Sequence, residues 1–208
     1  MDNSTSNNQA VIIGSIEEEF KLNHEIYAEK FYTFTLRIPR LSGAYDDIKV
    51  MISERLIMDG TYSVGDKVEI NGQFRSYNCN EPEKNHLVLT VFARDIAPYC
   101  DADAKNPNQL YLNGYICKEP IYRKTPLGRE IADLLIAVNR SYGKSDYIPC
   151  ICWGRNARFA SGFEVGGHVQ VWGRIQSREY VKKLSETETE KRIAYEVSVS
   201  KIDFLEEE

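Results

Sequence analysis

The chain repeats itself at an interval of about one hundred residues, and this repeat limits its fold more than any other feature. Val11-Ile12-Ile13-Gly14 answers Tyr111-Leu112-Asn113-Gly114, and Ile38-Pro39-Arg40 answers Val138-Asn139-Arg140. Gly43, Asp46 and Ile48 answer Gly143, Asp146 and Ile148, again at an offset of 100. Val64-Gly65 and Gly72 then answer Val165-Gly166 and Gly173 at 101. Val91 and Ile96 answer Val197 and Ile202 after a longer hairpin in the second copy. Matches in this order, with almost no slippage, mean two copies of one folding unit. Residues 100–109, with their Asp, Ala, Asn and Pro, read as the linker. The 208 residues thus divide into domains 1–104 and 105–208.

Within each copy the apolar residues alternate. Ile48, Val50 and Ile52 are interleaved with Asp47, Lys49, Met51 and Ser53. Ile148, Cys150 and Cys152 are interleaved with Tyr147, Pro149, Ile151 and Trp153. A period of two means a strand with one face in a core. Val68-Glu69-Ile70, Val169-Gln170-Val171 and the run from Tyr195 to Val199 repeat the signal. Residues 54–59 and 156–163 have room for about two helical turns each. The pattern predicts an all-β chain of two tandem OB-fold barrels. Each is a five-stranded Greek-key barrel with a short helix between its third and fourth strands, and about 100 residues suffice for a core in each.

Composition bounds the function. The net charge is -5, but residues 1–105 carry 11 Lys and Arg against 17 Asp and Glu, whereas residues 106–208 carry 15 against 14. An anionic ligand is therefore expected on the second copy. The five cysteines form no C-x-x-C pair, and Cys150 and Cys152 fall at the inward positions of Val50 and Ile52, so they read as core residues rather than metal ligands. The sequence holds no Ser-His-Asp order, glycine-rich phosphate loop or H-E-x-x-H, so neither catalysis nor a cofactor is expected. Asp46-Asp47 reads as a solvated carboxylate pair. The polar first eight residues lack the order of a signal peptide. No apolar run is long enough for a membrane helix, so a cytoplasmic location is expected.

The second copy resembles the bacterial single-stranded DNA-binding proteins. The resemblance rests on Asn113-Gly114-Tyr115-Ile116, Lys118-Glu119-Pro120 and the run from Arg123 to Gly128. It continues through Ile136-Ala137-Val138-Asn139-Arg140, Trp153-Gly154-Arg155, Gly166, the run from Gly173 to Arg178, and Tyr195-Glu196-Val197. The first copy joins it only as a repeat of the second. What the resemblance implies is binding of single-stranded DNA without sequence preference, in replication, recombination or repair and in association with the nucleoid. Bases stack on exposed rings, each worth roughly 1–3 kcal/mol, while basic side chains neutralise phosphates. The family's stacking positions fall on Tyr142, Tyr147, Trp153 and Tyr180. Tyr147 and Trp153 lie six apart on one strand and face away from the core; Tyr142 and Tyr180 are expected in loops. Arg123, Lys144, Arg155, Arg174 and Arg178 are the candidates for phosphate contact, and Gln170 and Trp172 those for a subunit interface. Family members with two barrels per chain pair as homodimers of four barrels.

The corresponding positions of the first copy read Ser42, Asp47, Ser53 and Cys79, none aromatic, with Tyr45 and Tyr77 nearby. This copy is expected to serve assembly or protein contact rather than DNA. The family's flexible acidic tail ending in Pro-Phe is not matched by Leu205-Glu206-Glu207-Glu208, so recruitment of the usual partners through such a tail is not expected. The rival reading is an accessory adaptor, of the primosome or protein-interaction kind, with weak nucleic-acid binding.

Overall fold

The computed structural model describes residues 7–58, 60, 62–81, 84–101, 106–183 and 189–206, apart from the side chains of 79–81, 84–86, 180, 182, 183, 191 and 192. The first copy folds as β1 (Asn8–Ile16), β2 (Lys21–Ile26), β3 (Glu29–Pro39), β4 (Tyr45–Ser53), β5 (Lys67–Glu81) and β6 (Lys84–Pro98). The second folds as β7 (Asn108–Ile116), β8 (Ile121–Lys124), β9 (Glu130–Asn139), β10 (Ser145–Trp153), a helix α1 (Arg155–Ala160), β11 (His168–Lys183) and β12 (Thr189–Leu205).

Both copies close in the same way. β1 pairs with β3 on one side and β5 on the other, β3 pairs with β4, and β4 runs parallel to β6, which returns along β5. β7, β9, β10, β12 and β11 repeat the circuit, including the parallel pair β10–β12. These are two tandem OB-fold barrels of five strands. β2 and β8 are extra strands lying outside each circuit, against β3 and β9.

Two pairs of the repeated glycines, Gly14 with Gly114 and Gly72 with Gly173, stand where backbones approach most closely. A Cβ on Gly14 would lie 2.3 Å from the Arg37 carbonyl oxygen, and one on Gly114 would lie 2.4 Å from that of Ala137. Both points are the barrel closures, so any side chain there would push the closing strands apart.

The inward residues follow the alternation. Ile48, Val50 and Ile52 are buried, as are Ile148, Cys150 and Cys152. Met51 and Ile151, on the other face, are buried too. Ile151 lies where β10 is flanked on both sides, opposite Asp133 of β9 and Ser198 of β12, so neighbouring side chains cover it. The two helices differ from each other. α1 lays Ala157 and Ala160 against its barrel, whereas the first copy makes only a three-residue 3-10 turn, Glu54–Leu56. The residues aligned with the two alanines are Ile57 and Gly60, a β-branched residue and the weakest helix former after proline.

β1 and β7 join the barrels into one twelve-stranded sheet. Asn8 pairs with Leu112, Ala10 with Leu110 and Ile12 with Asn108. Exchanging the copies, a shift of 100, turns the first of these pairs into the last. A pseudo-two-fold axis therefore passes between Ala10 and Leu110. Across it each barrel pins the other with a buried aspartate. Asp46 Oδ1 accepts the Ser177 N–H at 2.7 Å, and Asp146 Oδ1 accepts the Ser76 N–H at 2.7 Å. Asp46 also holds Arg40 of its own barrel and Arg174 of the other. The expectation of a solvated Asp46-Asp47 pair is thus corrected for Asp46, which is 1% exposed.

Candidate nucleic-acid interface

β10 carries the centre of the site. Its inward residues fix its orientation in the core, and this sends Tyr147 and Trp153 to the opposite face, 47% and 39% exposed. Six residues of extended chain separate them by roughly 20 Å. Trp153 ends the strand, directly before Gly154, whose φ of 55° turns the chain into α1. Tyr142 stands just before β10 in a tight turn, Ser141–Gly143, and is 98% exposed. Its φ of 63° lies in the left-handed region, a conformation uncommon outside glycine that holds the ring out from the surface. Tyr180 is not in a loop, contrary to expectation: its backbone pairs with Arg192 in the long arm of β11 and β12, because the strand run persists to Lys183. Its side chain lies outside the described residues.

The basic candidates divide by what they hold. Lys144 and Arg155 are exposed, the first beside Tyr142 and the second opening α1 after Trp153. Arg123 donates twice to Asp133, at 2.9 and 2.7 Å. The Arg178 guanidinium lies 3.6 Å from Glu196. Arg174 is bound into the seam, 3.2 Å from Asp46 and 3.2 Å from Gln176. Exposed ion pairs contribute at most about 1 kcal/mol and exchange partners readily. A phosphate can therefore compete most easily for Arg123, whose pair is exposed on both sides; the carboxylate partners of Arg178 and Arg174, Glu196 and Asp46, are buried.

Trp172 and Gln170 belong to a different surface. The Trp172 ring lies 5.2 Å from that of Tyr111, with Lys201 Nζ 4.2 Å from its centre. With Gln170, Gln9, Val11 and Gln109 they line an open concavity of about 630 Å3 across the β1–β7–β11 face. At the positions of Tyr142, Tyr147 and Trp153 the first copy carries Ser42, Asp47 and Ser53, while Tyr45 and Tyr77 are exposed nearby in sequence. Asp47 is held by Arg37 through two hydrogen bonds of 2.8 Å, and the Ser53 hydroxyl donates to Glu29 at 2.5 Å. Tyr45 is exposed beneath the Arg37 guanidinium, 5.7 Å from it, and the Cys79 side chain lies outside the described residues. Among the described residues no group of three His, Cys, Asp or Glu is placed to hold a metal ion. Likewise no helix there is long and apolar enough to cross a membrane.

Comparison with known proteins agrees with this geometry. Residues 107–205 match the single-strand binding protein family. Single-stranded DNA-binding protein B of Bacillus subtilis is 36% identical over 80 residues, 35% of this chain and 71% of that protein. The chain belongs to the single-strand binding protein family. Other members include single-stranded DNA-binding protein 2 of Listeria innocua, 32% identical over 106 residues, and protein A of B. subtilis, 33% identical over 106. Each of these alignments covers 48% of this chain, and the chain spans about three fifths of the relatives' own length, 64% and 59%. The single-stranded DNA binding protein of Thermus aquaticus shares the fold of the whole chain. Its wild-type structure gives a TM-score of 0.74 at 19% identity, over 97% of this chain and 94% of that one. A deletion variant gives 0.75.

Sequence reasoning missed three arginines. Arg75, Arg94 and Arg140 meet beside Tyr142 and Lys144. Two of them come from the copy whose composition is acidic, which hid them; only the fold, by setting them across the seam beside Tyr142, marks them out.

Proposed function

We propose that the protein binds single-stranded DNA without sequence preference, by stacking bases on the second barrel and neutralising their phosphates. The observation that carries the reading is the set of exposed rings, Tyr147 and Trp153 on a strand whose other face is locked into the core and Tyr142 in the turn that precedes it. A ring held open to solvent offers a base a π-face, worth about 1–3 kcal/mol per base. A duplex keeps its base faces stacked inside and cannot use such rings. Arg155 and Lys144 flank the row, and Arg123 and Arg178 lie within reach of a phosphate that displaces their carboxylate partners. The β11–β12 arm carries Tyr180, the fourth stacking candidate, in its backbone pairing with Arg192. Family membership supports the same activity, which needs no catalytic group, and a cytoplasmic, nucleoid-associated protein acting in replication, recombination or repair follows from it.

In this reading residues 105–208 form the DNA-binding domain, and residues 1–104 a domain whose aromatic row is gone and whose main task is assembly. The Trp172–Tyr111 face, with Gln170, is the contact through which two chains pair as a four-barrel homodimer. A two-fold contact brings the same patch together from both chains.

The test is a titration of the whole chain with oligo-dT and oligo-U at two salt concentrations, read by tryptophan fluorescence. The reading expects strong quenching that weakens as salt rises. An adaptor with incidental nucleic-acid affinity gives little quenching and little salt dependence.

A further inference from the structure

The pseudo-two-fold axis creates two equivalent cavities along the seam between the barrels, and their charges differ. One, of about 370 Å3, is lined in part by Arg40, Ser42, Asp46 and Arg174. Its carboxylate binds both arginines, so the charges there are largely spent. The other, of about 310 Å3, is lined by Gln73, Arg75, Arg94, Arg140, Ser141, Tyr142 and Lys144, with no acidic residue among them. The repeat aligns Arg75 with Gln176, Arg94 with Ser200, Tyr142 with Ser42 and Lys144 with Ala44. Three of the four cations on the Tyr142 side thus have uncharged counterparts on the other.

The backbone aims one of these cations. Asn71 pairs with Asp95 and Gly72 with Ala93, so Arg94 is the extra residue of a β-bulge in β6. Bulges commonly redirect a side chain next to a binding site, and Arg94 is exposed. Arg75 is fixed from two sides. Its guanidinium lies 4.0 Å over the Phe92 ring and donates to Gln73 Oε1 at 3.2 and 2.8 Å. Burial above all, and then the neighbouring Arg140 and Arg94 charges against the opposing pull of Asp146, lower its pKa to about 10. Asp146, buried and 3.3 Å from Arg140 Nε, is the carboxylate facing this group. One carboxylate for three guanidinium groups and Lys144 leaves an excess of positive charge in a partly desolvated cavity, an arrangement that an anion relieves.

We propose that this cavity seats a phosphodiester of the bound single strand, with Arg75 and Arg94 of the first barrel reaching across the seam to serve the stacking row of the second. The idea rests on the single-strand reading and gives the first barrel a direct part in it. Tyr142, fully exposed at the rim, sets the class of ligand. A base stacked on that ring brings its own backbone to the cavity mouth, and the row continues through Lys144 to Tyr147. At about 30 Å3 per water, the cavity has room for a phosphodiester and its nearest sugar.

The test uses the whole chain and oligo-dT, titrated over a salt series by tryptophan fluorescence. Wild type is compared with Arg94→Gln, an exposed position whose change leaves the core intact, and with Arg55→Gln. Arg55 pairs with Glu29 on the first barrel and does not line the cavity. Arg94→Gln is expected to bind several-fold more weakly at low salt. Its slope of log affinity against log salt becomes shallower by about 0.7, one phosphate's worth on a single strand. Arg55→Gln matches wild type. Unchanged affinity and slope in Arg94→Gln, with wild type binding normally, overturn the proposal and leave the single-strand reading standing. If Arg94→Gln keeps its slope but loses affinity for a labelled oligo-aspartate peptide, the cavity belongs to an acidic protein segment and the proposal falls. If wild type does not bind oligo-dT at all, the single-strand reading fails first.

Discussion

Tyr147, Trp153 and Asp146 lie on one strand, and period two determines which way each points. Tyr147 and Trp153 face out because Ile148, Cys150 and Cys152 face in, and this much was legible in the alternation. Asp146 faces in as well, at 0% exposure, and that was not legible: its partners Ser76 and Arg75 lie some seventy residues away in the other barrel. Burial lifts the Asp146 carboxyl above its ordinary 3.8, against the Ser76 N–H and the charges of Arg140 and Arg75, which pull it down. A raised value means the folded chain holds this proton more tightly than the unfolded one. The group's contribution therefore favours folding fully below the unfolded value and is lost as pH rises through the folded value. Asp146→Asn removes the titration while keeping an acceptor for Ser76. The melting temperature of wild type minus that of Asp146→Asn is expected to fall as pH rises from about 3 to 7. A difference that stays flat across that range would show that the carboxyl titrates alike in both states.

Among the elements, the strands and their order could be read from the repeat, and the joints between them could not. The matched glycines marked the repeat; only the folded chain shows that Gly14 and Gly114 are the closure points. The first copy's helix was overestimated because Ile57 and Gly60 replace the alanines that let α1 lie flat. The long β11–β12 arm was taken for a loop at Tyr180, where tertiary pairing outweighs weak local patterning. Asp46 is the sharpest case. Beside Asp47 it looked like surface charge, yet it links β4 to β11 of the other barrel through Ser177 and Arg174. Asp46→Ala leaves the Ser177 N–H without its acceptor and two part-exposed arginines without their carboxylate, and is expected to destabilise the chain by about 1–3 kcal/mol. Asp47→Ala, whose partner Arg37 is part-exposed, is expected to cost no more than about 1 kcal/mol. Urea denaturation of both variants checks this, and equal losses would remove Asp46 from the seam's energetics.

As a whole molecule the chain joins its two barrels through a pseudo-two-fold contact of β1 on β7. The break in that symmetry carries the proposed function. Rings and an excess of cations over carboxylates gather on the Tyr142 side, while the matching side holds serine, alanine and paired charge. The outer face bearing Trp172 and Tyr111 remains open, and Trp172→Glu is expected to halve the mass seen by light scattering without loss of strand content. An unaltered mass would place the self-contact elsewhere. On the proposed function, exposed rings of the second barrel take the bases of an unpaired strand. The most direct test of this compares wild type and Trp153→Ala for affinity to oligo-dT and to a duplex of the same length. Wild type is expected to prefer oligo-dT greatly, and Trp153→Ala to lose about 1–3 kcal/mol of that preference. Equal affinity for the two forms of DNA, or a Trp153→Ala variant that binds oligo-dT as tightly as wild type, would contradict the proposed function.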